Sequence, residues 1–336
     1  MVSIKDISLR CGVSVATVSK AINGHGDIAE RTARHIREVA KEMGYLPNAA
    51  ARALKTNRTY NLGVLFIDNT HSGLTHEYFS SMLDSFKVQA ERQGYDITFI
   101  SNNIGKYTMS YLEHCRYRAC DGVVIACVNF SDPAVVELVQ SEIPVVTVDH
   151  VFNEKTAILS DNVQCVRDLV THIYEQGHRK IAFIHGEDTA VTQKRLATFY
   201  RTCRELGLTL PPEYVRAAMY HDPNSSAEAT RALLSLPNPP TCIMYPDDFS
   251  FVGGRNVITE MGLRMPEDIS VAGFDGIYLS QVLQPALTTM QQDTVLLGSE
   301  AAKRLIACIE EPQTTVVEQV MVAGRLLPGK SVRKLN

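Results

Sequence analysis

The stretch IKDISLRCGVSVATVSKAIN, residues 4–23, determines the fold of the N-terminal part of this 336-residue chain. Ile4–Cys11 is predicted to be a short helix that ends at Gly12. Ser14 follows as a good N-cap for a second helix, Val15–Ile22, because its hydroxyl can accept from an unpaired backbone N–H. Two short helices joined by a glycine-containing turn predict a helix-turn-helix.

A third helix is predicted at roughly 29–43, where apolar residues recur at helical spacing. These residues are Ala33, Ile36, Val39, Ala40 and Met43. Gly44 ends this helix and Pro47 confirms the stop.

The second helix of such a unit enters the major groove of DNA with its N-terminal residues against base edges. The candidates for base contacts are Val15, Ala16, Ser19 and Lys20. The candidates for phosphate contacts are Thr17, Asn23 and Tyr45. A small helical subdomain with solvated lysines would show the same pattern, so the helices alone leave both interpretations open.

The distribution of charge favours DNA binding. The whole chain has a formal net charge of −4. Residues 1–60 hold ten Lys and Arg against five Asp and Glu, whereas the remaining 276 residues hold 23 bases and 32 acids. A basic N-terminal module on an acidic body indicates contact with nucleic acid.

The composition excludes other classes. No apolar run approaches the ~18–20 residues that span a membrane, and the N-terminus has no secretory signal pattern. The eight cysteines are scattered without a CxxC pair, which indicates reduced thiols in a cytoplasmic protein rather than a zinc site.

The body begins with Leu62–Ile67, a continuous apolar strand typical of a parallel sheet that is buried on both faces. Predicted strands and helices then alternate, which indicates an α/β architecture in two lobes with a cleft between them. The predicted strands are 96–100, 122–128, 144–149, 181–185, near 215–219, 241–245 and 270–274. The predicted helices are 78–92, 107–118, 133–141, 162–176, 192–206, 225–235, 248–261 and 294–310.

Candidate ligand-binding residues lie at the carboxyl ends of these strands, where ligands of parallel sheets bind. They are Asp149, Asp247 and Asp275, together with Arg195, which we expect to begin the helix after Ile181–His185. Carboxylates and a guanidinium make several directional hydrogen bonds to hydroxyl groups, as a sugar requires. For any one of them alone, a helix cap or a surface ion pair is the ordinary alternative.

The loop at residues 69–77 is expected to overhang the cleft. His71, His76 and Glu77 could be metal ligands, but an exposed polar loop is the simpler interpretation. A role of this loop in effector selectivity is a hypothesis.

Ile4–Asn23 closely resembles the N-terminus of the lactose/galactose repressor (LacI/GalR) family, and Gly44–Thr56 resembles its hinge. The resemblance implies that two hinge helices pair in the minor groove and fold only on operator DNA. The implied minor-groove residues are Ala51, Leu54 and Lys55. Leu54 matches the wedge that unstacks the central base step and kinks the duplex.

The resemblance extends through the body in several blocks. These are Asp161–Asn162, Gly177–Ala182, Arg195–Phe199, Asp247–Asp248, Asp268–Asp275 and Leu287–Asp293. It implies effector-binding roles for Arg195, Asp247 and Asp275 and, less specifically, for Phe79 and His221. The family often stacks a sugar ring near His221, and Tyr220 is an alternative for that role. Asp247 stands where the family commonly has Asn.

The expected fold is an α/β, two-lobed, periplasmic-binding-protein-like body of parallel sheets flanked by helices. An all-α helix-turn-helix DNA-binding domain and a hinge helix precede it. The expected domains are residues 1–46, a hinge and linker at 47–60, a first lobe of 61–160 plus ~292–320, and a second lobe of 161–291 plus ~321–336.

The expected function is a cytoplasmic transcriptional regulator, a repressor, whose operator affinity a sugar effector controls. No enzyme, cofactor or metal motif is found. A homodimer is expected on pseudo-palindromic operator DNA. A tail of leucine heptads would imply a tetramer, and residues 326–336 contain no such heptads, so a dimer is favoured. The alternatives are a solute-binding protein without a DNA function and a sugar-modifying enzyme. The sequence does not identify the effector or say whether it releases or promotes DNA binding.

Overall fold

The computed structural model describes residues 2–22, 24, 27–46, 58–67 and 73–335. The chain divides into two compact units, Met1–Thr59 and Tyr60–Asn336. Some residues singled out from the sequence lie outside the described ones: Asn23, the three hinge residues Ala51, Leu54 and Lys55, and residues 69–72 of the long loop.

The described part of the first unit contains three helices: α1 (Ile4–Cys11), α2 (Val15–Ile22) and α3 (Glu30–Glu42). Their apolar faces meet in one small core, in which Ile7, Val18 and Ile36 are fully buried. The left-handed backbone of Gly12 (φ 63°) ends α1, because a residue without a Cβ adopts this conformation readily. The Ser14 hydroxyl accepts a hydrogen bond of 3.1 Å from the Thr17 N–H, which confirms the predicted N-cap of α2.

A six-stranded sheet begins the second unit, and all its strands are parallel. Its order is β13-β7-β6-β5-β1-β2, with the bounds β1 Asn61–Phe66, β2 Asp96–Phe99, β5 Gly122–Ala126, β6 Val145–Val148, β7 Thr156–Ser160 and β13 Gln319–Val322. Its helices are α4 (Glu77–Arg92), α5 (Tyr111–Tyr117), α6 (Pro133–Gln140) and α12 (Thr294–Glu310). Apolar clusters cover both faces of the sheet.

A second six-stranded sheet has the order β14-β12-β11-β10-β8-β9. Its strands are β8 Ile181–His185, β9 Val215–Ala217, β10 Cys242–Met244, β11 Ser270–Asp275, β12 Thr288–Gln291 and β14 Arg325–Leu327. Its helices are α7 (Asn162–Glu175), α8 (Ala190–Glu205), α9 (Pro223–Leu234), α10 (Phe251–Glu260) and α11 (Tyr278–Val282). β14 is antiparallel to β12, which is an exception to the predicted parallel arrangement.

The chain passes between the two sheets three times: after β7, after β12 and between β13 and β14. We call the part built on the first sheet the first lobe and the part built on the second sheet the second lobe. Both belong to one compact unit. Because β13 ends at Val322, the last passage falls slightly later than the predicted ~320. No helix among the described residues is long and apolar enough to cross a bilayer.

The predicted helix 107–118 is partly wrong. Residues 103–108 form a two-stranded hairpin, β3 (Asn103–Ile104) and β4 (Tyr107–Thr108), and α5 begins only at Tyr111. The Ser110 side chain accepts from the Glu113 N–H, and the Glu113 carboxylate accepts from the Ser110 N–H. This reciprocal capping box explains why the helix begins there.

Helices α4 and α12 pack closely in the first lobe, and Gly298 makes this approach possible. A Cβ on Gly298 would lie 2.1 Å from the Met82 carbonyl oxygen and 2.8 Å from the Phe86 nitrogen. These are backbone atoms of α4, so the contact can relax only if the helices separate.

We therefore expect Gly298→Ala to lower the free energy of unfolding by about 1–3 kcal/mol, as overpacking does. In an open environment the same change would instead stabilise the helix interior by up to ~1 kcal/mol. Urea unfolding shows whether the free energy of unfolding falls or rises. Ser299→Ala in the same helix is the control and should stay within ~0.5 kcal/mol. A midpoint for Gly298→Ala that equals or exceeds that of the wild type contradicts the packing argument.

Candidate functional site

A cavity of about 620 Å³ lies in the second unit, and residues of both lobes line it. Its volume is in the range of small-molecule sites. All six effector-binding residues expected from the sequence line this one cavity: Phe79, Asp149, Arg195, His221, Asp247 and Asp275. Parallel strands explain the convergence, because their carboxyl ends meet at one edge of each sheet.

Asp149 follows β6 in the first lobe. Its Oδ1 accepts a hydrogen bond of 2.8 Å from the Ser160 N–H. Its Oδ2 accepts one of 3.1 Å from the Tyr78 hydroxyl. Burial, followed by the charge of Asp149, raises the pKa of Tyr78 well above its ordinary value, so Tyr78 remains a donor. The carboxylate is therefore held in one orientation at the edge of the cavity.

Asp247 follows β10 and is 3% exposed. Its carboxylate accepts from the His221 N–H at 2.9 Å, the Ser250 N–H at 2.7 Å and the Ser250 hydroxyl at 2.7 Å. Two loops of the second lobe are thereby connected through one side chain. Asp247 has a structural role in addition to any contact with a ligand.

Arg195 is 4% exposed and lies in the interior of α8, not at its start as predicted. Its Nε donates to the Asn162 Oδ1 at 2.7 Å and its Nη1 donates to the Pro246 carbonyl at 2.9 Å. The guanidinium carbon lies 3.5 Å from the centroid of the Phe274 ring. A guanidinium has five N–H donors, so Arg195 keeps donors for a ligand in the cavity.

Asp275 is the last residue of β11, and its Oδ1 accepts a hydrogen bond of 2.6 Å from the Gln292 Nε2. Burial raises the pKa of Asp275 from 3.8 to about 7, although the nearby charge of Arg195 acts in the opposite direction. The charges of Asp247 and Asp149 add to the increase. Asp275 is therefore a carboxylate whose charge the surrounding protein does not fully compensate.

Backbone strain is concentrated at this cavity. Of the non-glycine residues with positive φ in the described part of the chain, four line the cavity: Cys127 (54°), Asp149 (58°), His221 (54°) and Asp275 (95°). Such conformations cost about 1–3 kcal/mol each and persist where the surrounding structure enforces them. Their concentration here is the pattern expected of a ligand site.

The expected role of His221 as a stacking surface for a sugar needs correction. Its ring stacks on His76 at 4.1 Å and 19° and on Phe249 at 4.1 Å and 13°. Protein rings therefore cover both faces of the imidazole, which leaves neither for a ligand. Phe79 remains at the wall, with its ring 4.8 Å from that of His76.

Several lining residues were not singled out from the sequence. They include Gln292, Glu187, Asp188, Phe130 and His150. Gln292 directly follows β12, a strand that the sequence reading did not predict. Identification of that strand would have placed Gln292 at a carboxyl end, beside the other candidates.

The last two residues of the long loop, His76 and Glu77, form contacts between the two lobes. His76 of the first lobe stacks on His221 of the second. The Glu77 Oε1 accepts a hydrogen bond of 2.6 Å from the Tyr278 N–H. Within the described residues there is no group of three side chains suited to hold a metal ion.

On the first unit, helix α2 carries the candidate DNA-binding surface. Val15, Ala16 and Lys20 are exposed and Ser19 is half-buried. Lys20 pairs with Asp27. Two phosphate-contact candidates are less available: the Thr17 hydroxyl shares a hydrogen bond of 2.8 Å with the Ser14 hydroxyl, and Tyr45 packs against the helical core.

A helix-turn-helix unit, followed along the chain by a two-lobed unit with an internal polar cavity, is typical of a ligand-responsive DNA-binding regulator. Comparison with known proteins agrees with this class. Residues 3–48 match the family described as bacterial regulatory proteins, lacI family. Residues 170–332 match the periplasmic binding protein-like domain.

Two curated relatives are similar over the full length of both proteins. The chain is 30% identical over 340 residues to the probable HTH-type transcriptional repressor ExuR of Bacillus subtilis (strain 168). It is 30% identical over 342 residues to the HTH-type transcriptional repressor PurR of Haemophilus influenzae (strain PittEE), again with complete coverage of both. The chain belongs to the lacI family of bacterial transcriptional regulators.

The fold has a close structural counterpart. The lac repressor dimer bound to operator and the anti-inducer ONPF superposes with a TM-score of 0.81 at 22% identity, with 99% of each chain covered. This similarity confirms the expected fold, an α/β two-lobed body preceded by a helix-turn-helix. Family membership makes the chain a DNA-binding regulator controlled by a small molecule and not an enzyme.

The raised pKa of Asp275 generates a test of the cavity's electrostatics. Between pH 3.8 and about 7 the folded state holds a proton that the unfolded state has released. The contribution of Asp275 to the free energy of unfolding therefore falls as pH rises through this range. Asp275→Asn removes this contribution, so its melting temperature relative to the wild type should increase from pH 4.5 to pH 7.5.

Asp268→Asn is the matched control. Hydrogen bonds from Arg264 lower the pKa of Asp268 to about 2, so this carboxylate titrates below the tested range. The difference in melting temperature between Asp268→Asn and the wild type should be constant over that range. A constant difference for Asp275→Asn as well would contradict the raised pKa.

Proposed function

We propose that this chain is a cytoplasmic transcriptional repressor that binds pseudo-palindromic operator DNA as a homodimer. A polyhydroxylated effector, a sugar or a close analogue, binds in the cleft and sets the operator affinity. Residues 1–46 bind the DNA, residues 47–60 link them to the body, and the two lobes bind the effector. The observation that carries the proposal is the cleft itself, in which fixed carboxylates and one buried guanidinium converge.

The DNA-binding part of the proposal rests on the exposed surface of α2. Lys20 has the donor to recognise guanine, and the small apolar Val15 and Ala16 suit thymine methyl groups. Ser19, Thr17, Asn23 and Tyr45 complete the proposed contacts, and the hinge residues Ala51, Leu54 and Lys55 would enter the minor groove. The lac repressor, whose structure is that of a dimer on its operator, supports the dimeric arrangement.

The effector class rests on the hydrogen-bonding character of the cleft. Asp149, Asp247 and Asp275 offer acceptors, and Arg195 offers donors. Hydroxyl groups both donate and accept, so a polyol satisfies both kinds of partner. The aromatic wall at Phe79 and Phe130 suits the apolar face of a sugar ring.

Regulation follows from the position of the cleft between two lobes. An effector shifts a conformational equilibrium only by its difference in affinity for the two states. Because the lining residues belong to both lobes, a bound effector favours the state in which the lobes are closed on it. The proposed switch is the relative position of the lobes.

The DNA-binding proposal is tested by fluorescence anisotropy with the DNA upstream of the protein's own gene. We expect salt-sensitive, sequence-specific binding by the wild type. Lys20→Ala should lose about 1–3 kcal/mol of discrimination against unrelated DNA, as the loss of a base contact does.

Lys106→Ala is the charge-matched control, because Lys106 is an exposed residue of the body. It should leave the preference for the upstream DNA unchanged. Equal affinity of the wild type for upstream and unrelated DNA would overturn the DNA-binding proposal.

The effector proposal is tested by thermal shift with mono- and disaccharides and with purines. A ligand that binds the folded state raises the melting temperature by mass action. Arg195→Ala should abolish the shift of any hit, since it removes the buried donors, but should leave basal DNA binding largely intact.

Arg201→Ala on the same helix is the control, because Arg201 is on the surface and pairs with Glu205. Arg201→Ala should keep the increase in melting temperature that the ligand causes in the wild type. A shift that persists in Arg195→Ala would show that the effector binds elsewhere.

A further inference from the structure

The cleft is strongly acidic. Five carboxylates of the described residues line it, at Asp149, Glu187, Asp188, Asp247 and Asp275. None of them forms an ion pair with a Lys or Arg of the described residues. Among the lining residues that the structure describes, Arg195 is the one lysine or arginine. The cavity therefore carries an excess of negative charge.

The carboxylates differ in how far the protein satisfies them. Asp247 accepts three hydrogen bonds and Asp149 accepts from Ser160 and Tyr78. Asp275 accepts one side-chain hydrogen bond, from Gln292. Glu187 and Asp188 likewise accept one hydrogen bond each, from the Tyr220 N–H and the Gln193 Nε2. Asp275 thus has capacity for a donor from the ligand, and it is the carboxylate that Gln292 contacts.

Gln292 provides an independent indication of a missing donor. This side chain lines the cavity and is 6% exposed. Its Nε2 donates to Asp275, which assigns the other amide atom, Oε1, as an acceptor. That buried oxygen has no hydrogen-bond partner among the described residues. An unsatisfied buried acceptor costs about 1–3 kcal/mol, and a ligand donor would remove the cost.

We infer that the cleft selects its ligand by charge, and that an amino group of the ligand binds between Asp275 and Gln292. A hydroxyl group donates one hydrogen, whereas an ammonium group donates three. An ammonium group can therefore donate hydrogen bonds to the Asp275 carboxylate and the Gln292 Oε1 at the same time. Its hydrogen bonds to a carboxylate are also charge-assisted and stronger.

This inference rests on the proposed function and makes its effector class narrower. Among sugars that share a ring, the amino form binds best and the neutral form follows. The acidic form is excluded, because its carboxylate would add a further negative charge to a cavity whose carboxylates already outnumber its arginine. The raised pKa of Asp275 is consistent with a site in which Arg195 compensates the negative charge only in part.

The test is isothermal titration of the full-length protein at pH 7 with matched sugars. The probes are the neutral, 2-amino and uronate forms of glucose, galactose and mannose, with the β-1,4-linked dimers of glucose and glucosamine. We expect one amino form to bind at least tenfold more tightly than its neutral parent. No uronate should bind measurably.

Asp275→Asn removes the charge but keeps an acceptor, so it should reduce the ratio between amino and neutral forms to less than about threefold. Glu137→Gln removes a charge from the exposed surface of α6 and should keep the ratio. Melting curves establish that both variants are folded.

The outcomes separate this inference from the proposed function. A neutral sugar or a uronate that binds as tightly as its amino form overturns the charge selection but keeps the polyol effector. An unchanged ratio in Asp275→Asn overturns the assignment to Asp275 and Gln292. If no sugar of the panel binds, the inference is wrong, whereas the proposed sugar effector is decided by the wider thermal-shift screen.

Discussion

The hydrogen bonds and ring contact of the buried Arg195 guanidinium are the interactions on which the cleft depends. Arg195 binds the side chain of Asn162, where the chain enters the second lobe, and the carbonyl of Pro246, which precedes Asp247. It also lies on the ring of Phe274, next to Asp275. One side chain thus joins four separate segments of the second lobe. It is also the positive charge that partly offsets a group of buried carboxylates, whose desolvation would otherwise be more costly.

The connection between the lobes has a different physical character. Three chain passages join them, and the stacked rings of His76 and His221 and the hydrogen bond between Glu77 and the Tyr278 N–H add direct contacts. These contacts are few compared with the apolar cores on both faces of each sheet. Each lobe can therefore behave as a rigid body while their relative position responds to a ligand. This is the arrangement that hinge closure requires.

Much of the fold followed from periodicity alone. The helix at 294–310 was predicted with the bounds that the structure has, and the three N-terminal helices agree to within a residue or two. Errors arose where local signals were weak. The predicted helix 107–118 includes Tyr107–Thr108, which form the second strand of a hairpin. The short strand Thr288–Gln291 is not predicted, because four residues show little periodicity. With that strand unrecognised, Gln292 was not identified as a residue at a strand end.

The sequence by itself determined the class of the fold, the basic N-terminal module and the residues at strand ends, because each is written in local pattern, charge or spacing. Tertiary structure decided which of those residues are available to a ligand. His221 had the right position but both faces of its ring are covered. The Asp247 carboxylate accepts three hydrogen bonds from its own lobe, whereas the Asp275 carboxylate accepts one side-chain hydrogen bond, from Gln292. Availability depends on contacts between residues tens of positions apart in the chain, and only the folded structure brings these residues together.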